Sequence, residues 1–229
     1  MDIVRIQTGP TNCYLIRGVG GVVVVDPGPP GGSRHVIARI DAAGVAPADV
    51  TLIFVTHGHL DHYGAAADLH AWCGAPVAAH PAAPAFSRDR RNAIPPAGTL
   101  RGSLVRWIYL LLAPFAHFQP LHADLALDDD DDLSPYGVDA RTVLLPGHSP
   151  EHLGVLTGER DLLAGDLFVN YTVPSQPLYL VDRAAWEESC ERVRALAPRR
   201  VLVGHGEPFD GGALDKIYPA RYQFRWWVR

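Results

Sequence analysis

Histidine and aspartate crowd into a few short segments of the 229-residue sequence. His57, His59, Asp61 and His62 lie in THGHLDH, His148 and His152 in PGHSPEH, and His205 in GHGEP, while Asp166 closes DLLAGD. Neutral imidazole nitrogens and carboxylate oxygens are the donor types that suit Zn²⁺, Fe²⁺ or Mn²⁺. His57 and His59 are two residues apart, so an extended backbone directs both rings to the same side. Asp61 and His62 follow as the chain turns into a helix opened near Gly64, and one segment thus offers four ligands for two adjacent metals. Random placement of the chain's own residues would produce the HxHxDH pattern about 0.002 times, so coincidence is a weak explanation. His35, His70, His80, His117 and His122 stand alone, and a lone histidine is far more often structural than a ligand. The run Asp128 to Asp132 reads as a solvated turn, because adjacent carboxylates alternate direction and do not converge on one ion.

Each histidine segment directly follows an apolar strand, and strand-end loops are where sites are built. Strands are expected at residues 3–8, 13–18 and 22–26, then at 50–56, where too little alternation for a half-exposed strand implies burial on both faces. Ser33 is placed to cap a helix with Val36, Ile37 and Ile40 on one face and Gly44 at its stop. A short helix from Gly64 to about Trp72 and a strand at 76–80 come next. Strand patterning returns at 121–127, 142–146, 152–157, 161–166 and 200–205, with a helix begun by Asp182 that sets Trp186, Cys190, Val193 and Leu196 on one face. Two runs of strands with helices outside each sheet predict an α/β (α+β) fold, a four-layered αββα sandwich in a single domain over 1–229.

Residues 81–120 form an insertion that combines a polar arm, a PPAG turn and the lipophilic stretch Leu104 to Phe118. At 15 residues, interrupted by Arg106, Pro114 and His117, this stretch is too short to span a bilayer. As a lid it would bring Trp107, Tyr109 and Phe115 over the site; a subunit contact and a membrane-surface helix are the rival readings. The tail YQFRWWV alternates like a terminal strand, and its aromatics equally suit a homodimer contact.

The balance of 20 Lys plus Arg against 25 Asp plus Glu leaves a net charge of -5, so no global positive field exists to hold nucleic acid. Cys13, Cys73 and Cys190 are odd in number and share no CxxC spacing, which argues against both a disulfide framework and a cysteine zinc cage. With no signal peptide read at the start of the sequence, a cytoplasmic location is expected. The sequence contains no GxSxG elbow, so a side-chain nucleophile is not required.

These motifs resemble the metallo-β-lactamase fold superfamily of metallohydrolases, over nearly the whole chain. The HxHxDH signature is matched without a gap, and His148, Asp166 and His205 follow in the family's order. The resemblance implies that His57, His59 and His148 form a first metal site, that Asp61, His62 and His205 form a second, and that Asp166 bridges the two. It matches Asp26, in VVVVDPG, to a buried aspartate that steadies the ligand loop, and it gives His152 a supporting or structural role. Seven ligands suit two ions, Zn²⁺ in the first instance with Fe²⁺ or Mn²⁺ as alternatives, sharing a hydroxide that attacks a carbonyl or phosphoryl centre. Asp61 and Asp166 are then the catalytic carboxylates.

The shared metal core leaves the substrate open. Only 24 residues follow His205 in the sequence, where glyoxalase II carries a helical domain, although TNCYLI and the PGHSPEH loop are similar to that branch. Tyr171, five residues beyond Asp166, is similar to a tyrosine of the acyl-homoserine lactonases. The expected activity is hydrolysis of an ester, thioester or lactone in a small molecule with a lipophilic portion. An iron persulfide dioxygenase and a small metallo-ribonuclease or phosphodiesterase of the same fold are the alternatives.

Overall fold

The computed structural model describes residues 1–88, 103, 104, 106–108, 111 and 120–217. The chain opens with strands β1 (Asp2–Thr8), β2 (Thr11–Arg17) and β3 (Val22–Val25), then helix α1 (Ser33–Ala42) and β4 (Val50–Phe54). Helices α2 (Leu60–Tyr63) and α3 (Ala66–Cys73), strand β5 (Val77–Ala79) and helix α4 (Ala83–Arg88) lead into the insertion, and β6 (Leu125–Ala126) follows it. The second half contains β7 (Ala140–Leu144), β8 (Leu153–Thr157), β9 (Asp161–Leu163), β10 (Val169–Asn170), helix α5 (Arg183–Leu196), β11 (Arg200–Leu202), β12 (His205–Gly206) and β13 (Phe209–Asp210).

One sheet runs β1-β2-β3-β4-β5-β6, antiparallel as far as β3 and parallel from there. The other runs β13-β11-β9-β8-β7, and β10 and β12 form a small parallel pair. Burial follows the two-residue period of a strand. Val23 and Val25 of β3 join Leu52, Phe54, Leu153, Val155 and Leu163 in the layer between the sheets. Val22 and Val24 face the other way, onto Val36 and Ile40 of α1 and Leu69 of α3. Trp186, Cys190 and Val193 of α5 cover the outer face of the second sheet against Leu162 and Val201. Both faces of each central strand are therefore covered, which is why VVVV and VTLIF are continuously apolar. The arrangement is an αββα sandwich.

Local details depart from the sequence reading. Ser33 does not cap α1: the cap is Gly32, and the Ser33 hydroxyl donates instead to Asp68 of α3 at 2.8 Å. The expected helix from Gly64 is α3, and a separate short helix, α2, precedes it and already carries Asp61 and His62. The break between α2 and α3 has a tertiary cause, because the His62 carbonyl that a continuous helix would give to Ala66 accepts from Gly28, whose own carbonyl takes the Ala65 N–H. The strand read at 161–166 ends at Leu163 and gives way to a 3₁₀ turn over Gly165–Leu167, and His205 sits on its own short strand beyond β11. Only two residues of the stretch 121–127 pair as a strand.

Asp182 caps α5 as expected, accepting from the Ala185 N–H at 3.1 Å. Asp128 to Asp132 form a turn whose carboxylates serve Asp128 N, Leu144 N, Ser134 and the guanidinium groups of Arg141 and Arg192. The 222–228 tail lies outside the described residues. Among those described, no helix is long and apolar enough to cross a membrane.

Candidate metal centre

The site grows from the junction of β3 and β4. These parallel strands end side by side at Val25 and Phe54, so Asp26 stands beside the chain that leaves β4. Asp26 adopts a left-handed backbone conformation, φ 52°, and its buried carboxylate gathers three donors. Oδ1 accepts from Thr56 N at 2.9 Å, and Oδ2 accepts from Thr56 Oγ1 and His62 Nδ1 at 2.8 Å each. Having spent its proton on Asp26, the Thr56 hydroxyl accepts from His57 Nδ1 at 2.8 Å. Both rings are thereby oriented with Nε2 turned to the site. His148 Nδ1 donates to the Tyr179 carbonyl at 2.9 Å and His205 Nδ1 to the Pro10 carbonyl at 2.8 Å, giving the same orientation.

The ligand atoms fall into two groups, His57, His59, His148 and Asp166 in one, and Asp61, His62 and His205 in the other, each with its atoms within 4.8 Å of one another. Asp166 reaches both: its Oδ2 lies 3.5 Å from His148 Nε2 and 3.3 Å from His205 Nε2, and its Oδ1 lies 3.4 Å from His62 Nε2. Asp61 Oδ2 is 3.3 Å from His205 Nε2. The first group is buried, whereas Asp61 is part-exposed at the rim.

The donors fit divalent cations. His59 Nδ1 stands 2.9 Å from both His57 Nε2 and His148 Nε2, so three inward-turned ring nitrogens converge on one point that a cation can take once Nδ1 gives up its proton. Such separations are those of ligands bonded to one ion at about 2 Å. Among the described residues His62 Nε2 and Asp166 Oδ1 find no hydrogen-bond partner although both are buried, a costly arrangement that coordination would relieve.

Electrostatics divide the groups in the same way. Burial, reinforced by neighbouring imidazoles, lowers His57 far below its ordinary value and takes His148 down to about 3. His59 is also lowered, again chiefly by burial. In the second group burial opposes charging, but Asp166, Asp26 and Asp61 raise His62 to about 10, and Asp166 and Asp61 raise His205 to about 12. Burial would raise Asp61 and Asp166, yet the facing histidines hold both below the usual carboxylate range. Metal entering the second group must displace protons from His62 and His205.

Supporting residues come from distant parts of the chain. His152 Nε2 accepts from Asp166 N at 3.0 Å and so orients the shared carboxylate. Thr11 Oγ1 donates to Asp61 Oδ2 at 3.2 Å, and Asn12 Nδ2 donates to the carbonyls of Val203 and Gly206 on either side of His205. Thr56, Thr11 and Asn12 stand outside the ligand pattern, and the sequence signal for the last two is the polar start of TNCYLI. Gly204 is required by close approach, since a Cβ there would lie 2.2 Å from Asp166 Oδ1.

Trp107 is helical and exposed, and Tyr171 is exposed with its ring 6.4 Å from that of His205. Tyr109 and Phe115 lie outside the described residues, as does His117. His35, His70, His80 and His122 belong to neither ligand group.

The family model for the metallo-beta-lactamase superfamily matches residues 6–205. The probable metallo-hydrolase YqgX of Bacillus subtilis is 25% identical over 212 residues, covering 90% of each chain. The N-acyl homoserine lactonase AttM of Azorhizobium caulinodans is 30% identical over 181 residues, 74% of this chain and 63% of its own. The crystal structure of TTHA1623 in a di-iron-bound form superposes with a TM-score of 0.68 at 25% identity, over 94% of this chain and 98% of that one.

Proposed function

Because the chain belongs to the metallo-beta-lactamase superfamily, we propose that it is a binuclear metal-dependent hydrolase that cleaves an ester, thioester or lactone in a substrate with a lipophilic portion. The observation that carries this reading is Asp166, within 3.5 Å of histidine nitrogens from both ligand groups. Divalent cations held there supply Lewis acidity and acidify a water enough for attack near neutral pH. Zn²⁺ suits the imidazole and carboxylate donors, and the di-iron form of TTHA1623 keeps iron as the alternative.

The chain's own residues prepare the site. Thr56, Asp26 and the carbonyls of Tyr179 and Pro10 lock His57, His62, His148 and His205 with Nε2 inward, so no ring has to turn when substrate arrives. Asp61 can serve the centre with Oδ2 and orient the attacking water with its other oxygen. His152 holds the Asp166 backbone, and the carboxylate with it, toward both groups.

The lipophilic preference rests on two exposed apolar features. Leu104, Trp107, Ile108 and Leu111 are exposed at the i, i+3, i+4, i+7 spacing of one helix face. Tyr171, Val173, Leu178 and Val181 are exposed between β10 and α5. That segment is tied to one ligand loop by the bonds from His148 to the Tyr179 carbonyl and from Val181 N to the Gly147 carbonyl. It is tied to the other by the bond from Glu207 N to the Asn170 carbonyl. A lipophilic chain would thus lie beside the metal centre, and the similarity to AttM favours a lactone among the three bonds.

The test is a series of lactones and thioesters of rising acyl length, assayed on the wild type and on a variant with residues 104–118 shortened. The wild type should gain with each methylene buried, about 0.8 kcal/mol or roughly fourfold in kcat/KM, and the variant should lose that gain while keeping its activity on the shortest substrate. Equal loss on short and long substrates would reject the lid in favour of a subunit contact or an interfacial helix. No hydrolysis of any member would reject the proposed activity.

A further inference from the structure

Glu151 is completely buried between two ligand loops and takes no direct part in either ligand group. Its Oε1 accepts from the backbone N–H of Gly58 at 3.0 Å, and Gly58 is the residue between His57 and His59. Two residues back, the backbone already joins the same loops, because Leu153 N donates to the Thr56 carbonyl at 2.8 Å. In an antiparallel register that places 153 opposite 56, the next partner of Gly58 is residue 151. The N–H that would continue this ladder meets the side chain of residue 151 instead of its carbonyl. The carboxyl therefore extends strand pairing past the point where the backbones diverge, across the seam between the two sheets.

From this geometry we infer that Glu151 is a positioning residue: through the Gly58 amide it holds His57 and His59 at the distance from His148 that the first metal requires. The consequence follows from the directions of the loops. His57 and His59 come from the first sheet and His148 from the second, and beside the ligand rings themselves the two loops are joined by the bonds of Thr56 and Gly58 to residues 153 and 151 at 2.8 and 3.0 Å. Releasing Gly58 frees the backbone midway between two ligands without removing a ligand. The inference rests on the metal-centre reading above.

Two variants separate this role from a need for buried charge. Glu151→Gln keeps the length and an acceptor oxygen but loses the charge, whereas Glu151→Asp keeps the charge and withdraws the oxygen by one C–C bond, about 1.5 Å. Zn²⁺ affinity is measured on the full-length, metal-stripped chain by competition with a chromophoric chelator. Glu151→Gln should bind like the wild type, and Glu151→Asp should bind about 10- to 100-fold more weakly, the usual loss when an outer partner of a ligand is removed. Wild-type affinity in Glu151→Asp, or a loss in Glu151→Gln as large as in Glu151→Asp, would overturn the positioning role. A wild-type chain that binds no Zn²⁺ would instead overturn the metal-centre reading on which it depends.

Discussion

Replacing Asp26 with Asn isolates the support beneath the ligands, because Asn tolerates the left-handed φ of 52° that most side chains resist. With its oxygen kept on Thr56 N, the new amide nitrogen faces the protons of Thr56 Oγ1 and His62 Nδ1, donor against donor. Two hydrogen bonds to a charged acceptor are lost at a site only 2% exposed. At about 1.5–3 kcal/mol each, the loss is about 3–6 kcal/mol, a large share of the 5–15 kcal/mol that holds a typical domain. For a chain of this size each kcal/mol shifts Tm by roughly 2–4 °C, so the metal-free variant should melt roughly 6 to 24 °C below the wild type. Its metal affinity should also fall about 10- to 100-fold, because His62 and, through Thr56, His57 lose their fixed orientation. Thermal unfolding of metal-free protein reads the first effect and chelator competition the second. A variant that melts within about 2 °C of the wild type and binds metal equally well would refute the reasoning.

Asp61→Ala should leave the fold intact, since this side chain is 41% exposed at the rim, while the metal bound per chain falls toward half; undiminished metal content would remove Asp61 from the ligand set. The stability of the metal-free protein should depend on pH in both directions. His148 and His152 fall to about 3 through burial, so the stability they contribute is present above the unfolded value near 6.5 and is lost as pH falls from there toward 3. His62 and His205 are raised to about 10 and about 12 despite burial, so their contribution is present below 6.5 and is lost as pH rises through those values. Melting temperature should therefore peak near pH 6.5, and a flat profile between pH 4 and 9 would contradict these assignments.

Much of the architecture is readable because it obeys local periodicities. Apolar runs such as VVVVD and VTLIFVT mark strands covered on both faces, and the spacing of Trp186, Cys190 and Val193 marks the inward face of α5. The ligand segments are readable for a related reason: chemistry restricts them to a few residue types, and HxHxDH compresses four into six positions. Contacts between remote segments leave no such trace. The break between α2 and α3 depends on Gly28, more than thirty residues upstream, and Ser33 passes over its own helix end for Asp68. Glu151 meets Gly58 across 93 residues, and Asn12 clasps the His205 strand across more than 190. In each case the partners are distant in sequence, and neither residue alone announces the other.

Metal stoichiometry tests the central claim most directly. The full chain, purified without added metal and then equilibrated with Zn²⁺, should hold two ions per chain by elemental analysis. Asp166→Asn should lose metal from both positions, because an amide cannot join two cations as a carboxylate does. A wild-type chain that holds a single ion per chain, or an Asp166→Asn variant that keeps two, would contradict a centre built around that shared carboxylate.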